Sequence, residues 1–227
     1  MRFREYYNKY LGITNEEDSI FLSEFRNEPI NEKYYYPVII SDYYGKLKCS
    51  VAEEYKHLAQ DFHGTIDDVY RVFNNFKSID EGYRLREMKR FVYTGTKMQV
   101  EKSIRLTMDI MDELKFNYDS SGRKEYVNRK SKILNDGRQY VIIDNNSIAS
   151  LGFISDIQCG GGNIVVSTIE GHRGKGYGKD VVRACVNWSL ENNILPIYLV
   201  ETTNKSSVAI AESLGFQYMC REFIISK

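Results

Sequence analysis

One stretch constrains the chain more than any other. The β-branched run Ile164-Val165-Val166 leads into Ser167-Thr168-Ile169-Glu170, and Gly171-His172-Arg173-Gly174-Lys175-Gly176-Tyr177-Gly178-Lys179 follows. A strand that feeds a loop with glycines at alternate positions, which in turn feeds a helix from Asp180, belongs to an α/β architecture. The first N–H groups of such a helix have no internal partner, and the macrodipole adds positive potential there. Glycine lets the backbone approach an anion and adopt positive φ. Arg173, Lys175 and Lys179 add positive charge. The expected guest is a phosphate-bearing ligand.

Composition narrows the rest. The 227 residues hold 31 Lys+Arg and 31 Asp+Glu, a formal net charge of zero, so no whole face is built to offset phosphate repulsion and nucleic acid is not expected as a partner. No apolar run approaches the ~18 residues of a membrane helix. The opening Met1-Arg2-Phe3-Arg4-Glu5 lacks the apolar stretch of a signal peptide. Cys49, Cys159, Cys185 and Cys220 lie far apart without a CxxC, and His57 and His63 are isolated, so neither a metal site nor a disulfide framework is expected. These features describe a soluble, cytoplasmic, reduced protein.

Along the chain the first half reads as mostly helical. Asn15-Glu16-Glu17-Asp18 places acids ahead of Ile20, Phe21, Leu22 and Phe25, which resembles a helix start. Val51, Tyr55, Leu58 and Phe62 follow helical spacing, as do Ile66, Val69, Tyr70, Phe73 and Phe76 behind a Thr65…Asp68 capping pair, and Ile104, Met108, Met111 and Leu114. Residues 34–41 and 87–94 read as strands. The second half reads as a hairpin turning at Asn145-Asn146, a turn at Gly160-Gly161-Gly162, and a strand from Ile164. A helix over 180–190, a strand over 197–200, a helix over 206–214 closed by Gly215, and a last strand complete it. The expected fold is a mixed central sheet flanked by helices. The expected domains are residues 1–100, an accessory or acceptor lobe, and residues 101–227.

Two familiar phosphate loops do not match. The Walker pattern would place Arg173 at its first glycine and Asp180 at its hydroxyl, and the dinucleotide fingerprint would need a glycine where Lys179 stands. Arg173, Gly176 and Gly178 do fit the Arg-x-x-Gly-x-Gly pyrophosphate loop, and the chain resembles the GNAT superfamily of acetyl-CoA-dependent N-acyltransferases there. Asn204-Lys205-Ser206-Ser207 and then Leu214-Gly215-Phe216 look like that superfamily's final helix. The two motifs together cover roughly residues 138–220. The dense glycine loop, the Asn-x-x-Ser helix start and the short tail look similar to the glycine N-acyltransferase-like branch, whose members often carry a degenerate first lobe. Two departures stand out. Ala211 occupies the position where many relatives carry a tyrosine proposed to protonate the leaving thiolate, and only one strand's length follows Phe216. The first half is therefore expected to supply or cover the missing sheet edge.

The resemblance implies a GNAT-like core and acetyl transfer from acetyl-CoA, as co-substrate and without a metal, to the amine of a small molecule. It places the pyrophosphate on Arg173, Gly174, Lys175, Gly176, Tyr177, Gly178 and Lys179. It lays the pantetheine arm along Val166, Ser167 and Thr168, and adds Asn204 and Ser207 to the cofactor side. A backbone N–H would polarise the thioester carbonyl. A carboxylate acting through water would serve as base, with Glu201 first and Glu170 second. Bland readings stand beside these: Asn204 also suits a helix N-cap, Ser207 a small helix-face residue, and Glu201 and Glu170 solvated carboxylates. The rival functions are a non-catalytic acyl-CoA-binding or regulatory module and a nucleotide-triphosphate binder. A homodimer is a possible assembly.

Overall fold

The computed structural model describes residues 3–30, 34–114, 128 and 130–227. They fall into two compact units. One comprises Met1–Val92, Leu199–Val208 and Gln217–Lys227, the other Tyr93–Tyr198 and Ala209–Phe216.

The first unit contains helices α1 (Phe3–Leu11) and α2 (Ile66–Ile79) and strands β1 (Ile20–Leu22), β2 (Val38–Tyr43), β3 (Lys46–Val51), β4 (Arg84–Val92) and β10 (Gln217–Ser226). Its sheet runs β1-β3-β2-β10-β4, parallel between β1 and β3 and antiparallel elsewhere. The final strand is thus covered on both edges by first-half strands. Val38, Ile39 and Ile40 are fully buried, which fits a β-branched run with both faces packed. β2 and β3 join through a two-residue turn, Tyr44-Gly45, with φ of 48° and 82°. That geometry matches the twist of the strands it joins. α2 lays Val69, Val72 and Phe76 against Val38, Ile40, Val51 and Ile225 in one core.

Of the two alternatives for this lobe, the mostly helical one fails. Residues 20–22 are a strand paired in parallel to Cys49–Val51, and only a 3₁₀ turn, Glu24–Arg26, follows. A second 3₁₀ segment, Glu53–Leu58, stands where a longer amphipathic helix was expected. Thr65 caps α2 as expected: its side chain accepts from the Asp68 N–H, and the Asp68 carboxylate accepts from the Thr65 N–H at 2.8 Å.

The second unit holds β5 (Ile104–Arg105), α3 (Met108–Glu113), β6 (Gln139–Asp144), β7 (Ser147–Gln158), β8 (Gly161–Thr168) and α4 (Tyr177–Glu191). β9 (Leu195–Glu201) and α5 (Lys205–Ser213) contribute residues to both units. Here the strand order is β9-β8-β7-β6-β5, with β9 parallel to β8 and the others antiparallel. Asn145 and Asn146 turn the β6–β7 hairpin with φ of 52° and 58°, as their sequence suggests. The helix expected over 100–114 is a two-residue strand and a six-residue helix instead, because the Leu106 N–H bonds the Gln139 carbonyl at 2.9 Å. α4 packs tightly on β7. A Cβ at Gly152 would meet the Val181 side chain at 3.1 Å and Cys185 Sγ at 3.2 Å, so glycine sets how closely the helix approaches the sheet.

Candidate functional site

β8 ends at Thr168, a 3₁₀ turn spans Glu170–His172, and α4 starts after Gly176. Gly174 and Gly176 both have φ of +80°, and a Cβ on either would meet nothing within 4 Å. Backbone conformation, not crowding, selects glycine there. Gly176 is the N-cap of α4 and supplies no side-chain acceptor. Among the described residues, the backbone amides of Gly174, Lys175, Gly176, Tyr177, Gly178 and Lys179 make no hydrogen bond; the first amide to find a partner is that of Asp180, at 3.2 Å from the Gly176 carbonyl. Six consecutive donors at the positive end of a 15-residue helix form an anion cradle. These residues fit a diphosphate group.

Cations surround the cradle. Arg173 and Lys175 are exposed, and Arg173 Nε lies 3.5 Å from the Thr168 carbonyl. The Nζ atoms of Lys102 and Lys175 sit 5.3 Å and 6.0 Å from the Tyr177 ring centre. Lys102 carried no sequence signal, since the loop that bears it is set by Asp180. The Asp180 carboxylate accepts from the backbone N–H groups of Glu101, Lys102 and Ser103 at 2.9, 2.8 and 2.7 Å. Burial works against its charge, but those donors prevail and hold the carboxyl below the usual range. His172 stacks on Tyr177 and places Nδ1 3.5 Å from Asp144 Oδ2.

β8 offers a second feature. It pairs with β7 along its length to Ser150↔Thr168, but with β9 only over Gly161–Asn163. From Ile164 to Thr168, where Val166, Ser167 and Thr168 lie, no strand among the described residues is in register with the edge of β8 away from β7. Alternate N–H and C=O groups there are available to an extended ligand, as at any open strand edge. Ser150 Oγ is 2.9 Å from Thr168 Oγ1 and donates to the Ser167 carbonyl, which fixes the strand's end. Gly178 approaches this end closely: its Cβ would stand 3.3 Å from Thr168 Oγ1.

The structure thus gathers Val166–Thr168 and Arg173–Lys179 in one unit, with Glu170 exposed in the turn between them. Glu201, Asn204 and Ser207 belong to the other unit. Asn204 caps α5, its Oδ1 accepting from the Ser207 N–H at 3.1 Å. Glu201 Oε1 accepts from Arg86 Nε at 2.7 Å, and Arg86 Nη1 lies 3.3 Å from the Tyr36 hydroxyl. Burial pulls the Arg86 guanidinium down, but Glu201 and Tyr36 outweigh it and keep it charged. Ala211 is fully buried, with no hydroxyl to replace the missing tyrosine. Among the described residues, no cluster of three His, Cys, Asp or Glu could hold a metal ion, and no helix is long and apolar enough to cross a membrane.

Comparison with known proteins gives the family. The GNAT acetyltransferase model matches residues 14–221. The chain is 36% identical over 80 residues to YobR, an uncharacterized N-acetyltransferase of Bacillus subtilis, covering 34% of this chain and 32% of that protein. It is 26% identical over 100 residues to YdfB, another uncharacterized N-acetyltransferase of Bacillus subtilis, covering 44% and 38% respectively. These matches span about a third of each relative's length. A GNAT-family acetyltransferase of Colwellia psychrerythraea is similar in structure at a TM-score of 0.49 and 10% identity, over 67% of this chain and 61% of that one. With a family model spanning nearly the whole sequence, the chain belongs to the GNAT acetyltransferase family.

Proposed function

We propose that this protein transfers an acetyl group from acetyl-CoA to the amine of a small molecule by direct attack. The observation that carries the reading is the run of six unpartnered amides from Gly174 to Lys179 at the start of α4. Arg173, Lys175 and Lys102 add charge around it. The open edge of β8 at Val166–Thr168 supports placing the pantetheine arm there, as an added strand. A thioester supplies an activated carbonyl and a thiol leaving group of pKa ~8.5, so transfer near neutral pH tolerates an alanine at position 211.

The acceptor must present a neutral amine. A carboxylate acting through water removes the proton, and we assign this to Glu201 before Glu170. Glu201 Oε1 is engaged by Arg86, which leaves Oε2 to receive the proton. Asn204 serves chiefly as the α5 cap, and Ser207 as the residue whose amide it receives. The dense glycine loop favours the glycine N-acyltransferase-like branch of the family. Four free cysteines suit a reducing, cytoplasmic setting.

Calorimetry with CoA tests the cradle. Gly176→Asp should weaken binding at least ~10-fold, because φ of +80° disfavours a side chain and the new carboxylate repels the diphosphate. Unchanged affinity rejects the assignment. A thiol-release assay over a broad amine panel tests turnover. Tight CoA binding without release above background would instead favour a regulatory module.

A further inference from the structure

The first unit holds a cavity of about 190 Å³. Its lining comes from α1, the β2–β3 turn and the start of β10, all within that unit, and shares no residue with the cradle. The floor is buried: Tyr7 is 0% exposed, and Tyr43 and Cys220 are each 5% exposed. The mouth is open, since Tyr44 and Tyr218 are 67% and 54% exposed. Polar groups of the floor are already engaged. The Tyr7 hydroxyl lies 2.6 Å from Ser41 Oγ and hydrogen-bonds Glu222, whose two oxygens also accept from Arg90 Nε and Nη2 at 2.5 and 3.1 Å. Cys220 Sγ donates to the Tyr7 hydroxyl at 3.2 Å, and burial pushes its thiol up to about 12, so it carries no charge. The Tyr43 hydroxyl donates to Asn8 Oδ1 at 2.5 Å. Asp42 is then the one ionised side chain of the lining, and its carboxylate has no hydrogen bond or ion pair among the described residues. It stands near enough to Tyr218 to join burial and Cys220 in raising that phenol. Tyr44 sits at φ of 48° in its turn, a conformation that asparagine adopts readily and a bulky side chain rarely. Its ring meets Tyr43 edge to face with centroids 4.7 Å apart, and Phe3 stacks on Tyr7 at 4.8 Å. Strain of this kind collects where a side chain is needed for binding.

We propose that this aromatic cavity binds a small methylated ammonium compound. The proposal rests on the first unit alone and not on the transferase reading. Aromatic rings attract a cation through the negative potential of their faces. The unmatched Asp42 carboxylate sets the charge of the guest at a single positive one, and repels anions. Arg4 does not fill that need: its guanidinium stands 5.9 Å from the Tyr44 ring centre but is matched by Glu16. A primary ammonium or a guanidinium requires several acceptors in place of its water, and the floor oxygens are taken. Methyl groups around a quaternary nitrogen require none and suit walls made of rings. Size agrees. A cavity of ~150 Å³ accepts benzene, so this one takes a molecule of about seven to nine non-hydrogen atoms. A quaternary nitrogen has no proton to lose and no lone pair to attack a thioester, so the guest is not acylated there.

The test follows Tm of the full chain, without CoA, against choline at fixed ionic strength. The controls are ethanolamine and the uncharged analogue of choline with a tert-butyl group in place of trimethylammonium. Choline should raise Tm by roughly 5 °C at about 100-fold over its Kd, and both controls should bind at least ~5-fold more weakly. Asp42→Asn should weaken choline binding about 10-fold by removing the counter-charge. Tyr44→Asn should weaken it about 5-fold by removing a ring. Asn-Gly is a favoured pair for this turn, so Tyr44→Asn should leave Tm of the free protein the same or higher, which keeps the test open should Asp42→Asn fail to fold. No rise with choline overturns the proposal. An equal rise with the tert-butyl analogue reduces the site to an apolar cavity and overturns it as well, as does an equal rise with ethanolamine. Choline binding of unchanged affinity in Tyr44→Asn places the cation elsewhere and rejects the assignment. Each of these results leaves CoA binding at the cradle untouched, so failure here is distinct from failure of the transferase reading.

Discussion

Asp180 shows how much a single side chain can settle. It is 5% exposed and takes three backbone donors from residues 101–103, a segment nearly eighty positions earlier. An amide in its place keeps one acceptor oxygen and presents a donor to N–H groups. Asp180→Asn should therefore destabilise the protein by about 2 kcal/mol, the scale of hydrogen bonds to a charged group. The pH dependence has a definite sign. The folded carboxyl titrates below its unfolded value near ~3.9, so its contribution is present above that pH and is lost as pH falls through the folded value. The gap between wild type and variant in urea midpoint should be widest near neutrality and shrink below about pH 4; a gap independent of pH rejects the account. At this scale the glycine loop was legible, because Gly174 and Gly176 act through local backbone conformation. The Arg90–Glu222 pair was not, since its partners lie 132 positions apart and neither side chain carries a local pattern.

Elements were legible where their determinants are local. Thr65 and Asp68 announce the start of α2, and the structure forms the reciprocal pair. Thr65→Ala removes the acceptor for the Asp68 N–H and should lower stability by about 1 kcal/mol, read as a shift in urea midpoint at unchanged slope. No shift would mean the Asp68 carboxylate, which also accepts from the His63 N–H at 3.0 Å, holds the turn alone. Asn145-Asn146 and Gly215 likewise gave their turns away by their tolerance of positive φ. Elements were misread where a distant partner decides. Ile20–Leu22 carries acids ahead of apolar residues like a helix start, but Cys49–Val51 supplies a parallel neighbour and the backbone bonds there instead. Residues 100–114 read as one helix, but Asp180 claims the amides of residues 101–103 and Gln139 that of Leu106. Propensity is a weak prior against such partners.

At the scale of the molecule, the last strand has both edges covered by strands distant in sequence, which no local pattern could name. β10 lies between β2 and β4, with Ile224 opposite Ile39 on one side and Arg86 on the other. Phe223 and Ile225 are 3% and 0% exposed, packed in a core otherwise built largely from residues before position 81, including Val38, Ile40, Val51, Val69 and Phe76. A chain lacking residues 1–80 would keep β4 and β10 but lose β2 and α2. β10 would then present one open row of backbone donors and acceptors beside a bare apolar face. That combination favours edge-to-edge association. The truncated chain should partition into the insoluble fraction on expression, while the full chain does not. A soluble, monodisperse fragment with a cooperative unfolding transition would show that the later residues close their own sheet, and that the first eighty serve acceptor binding alone.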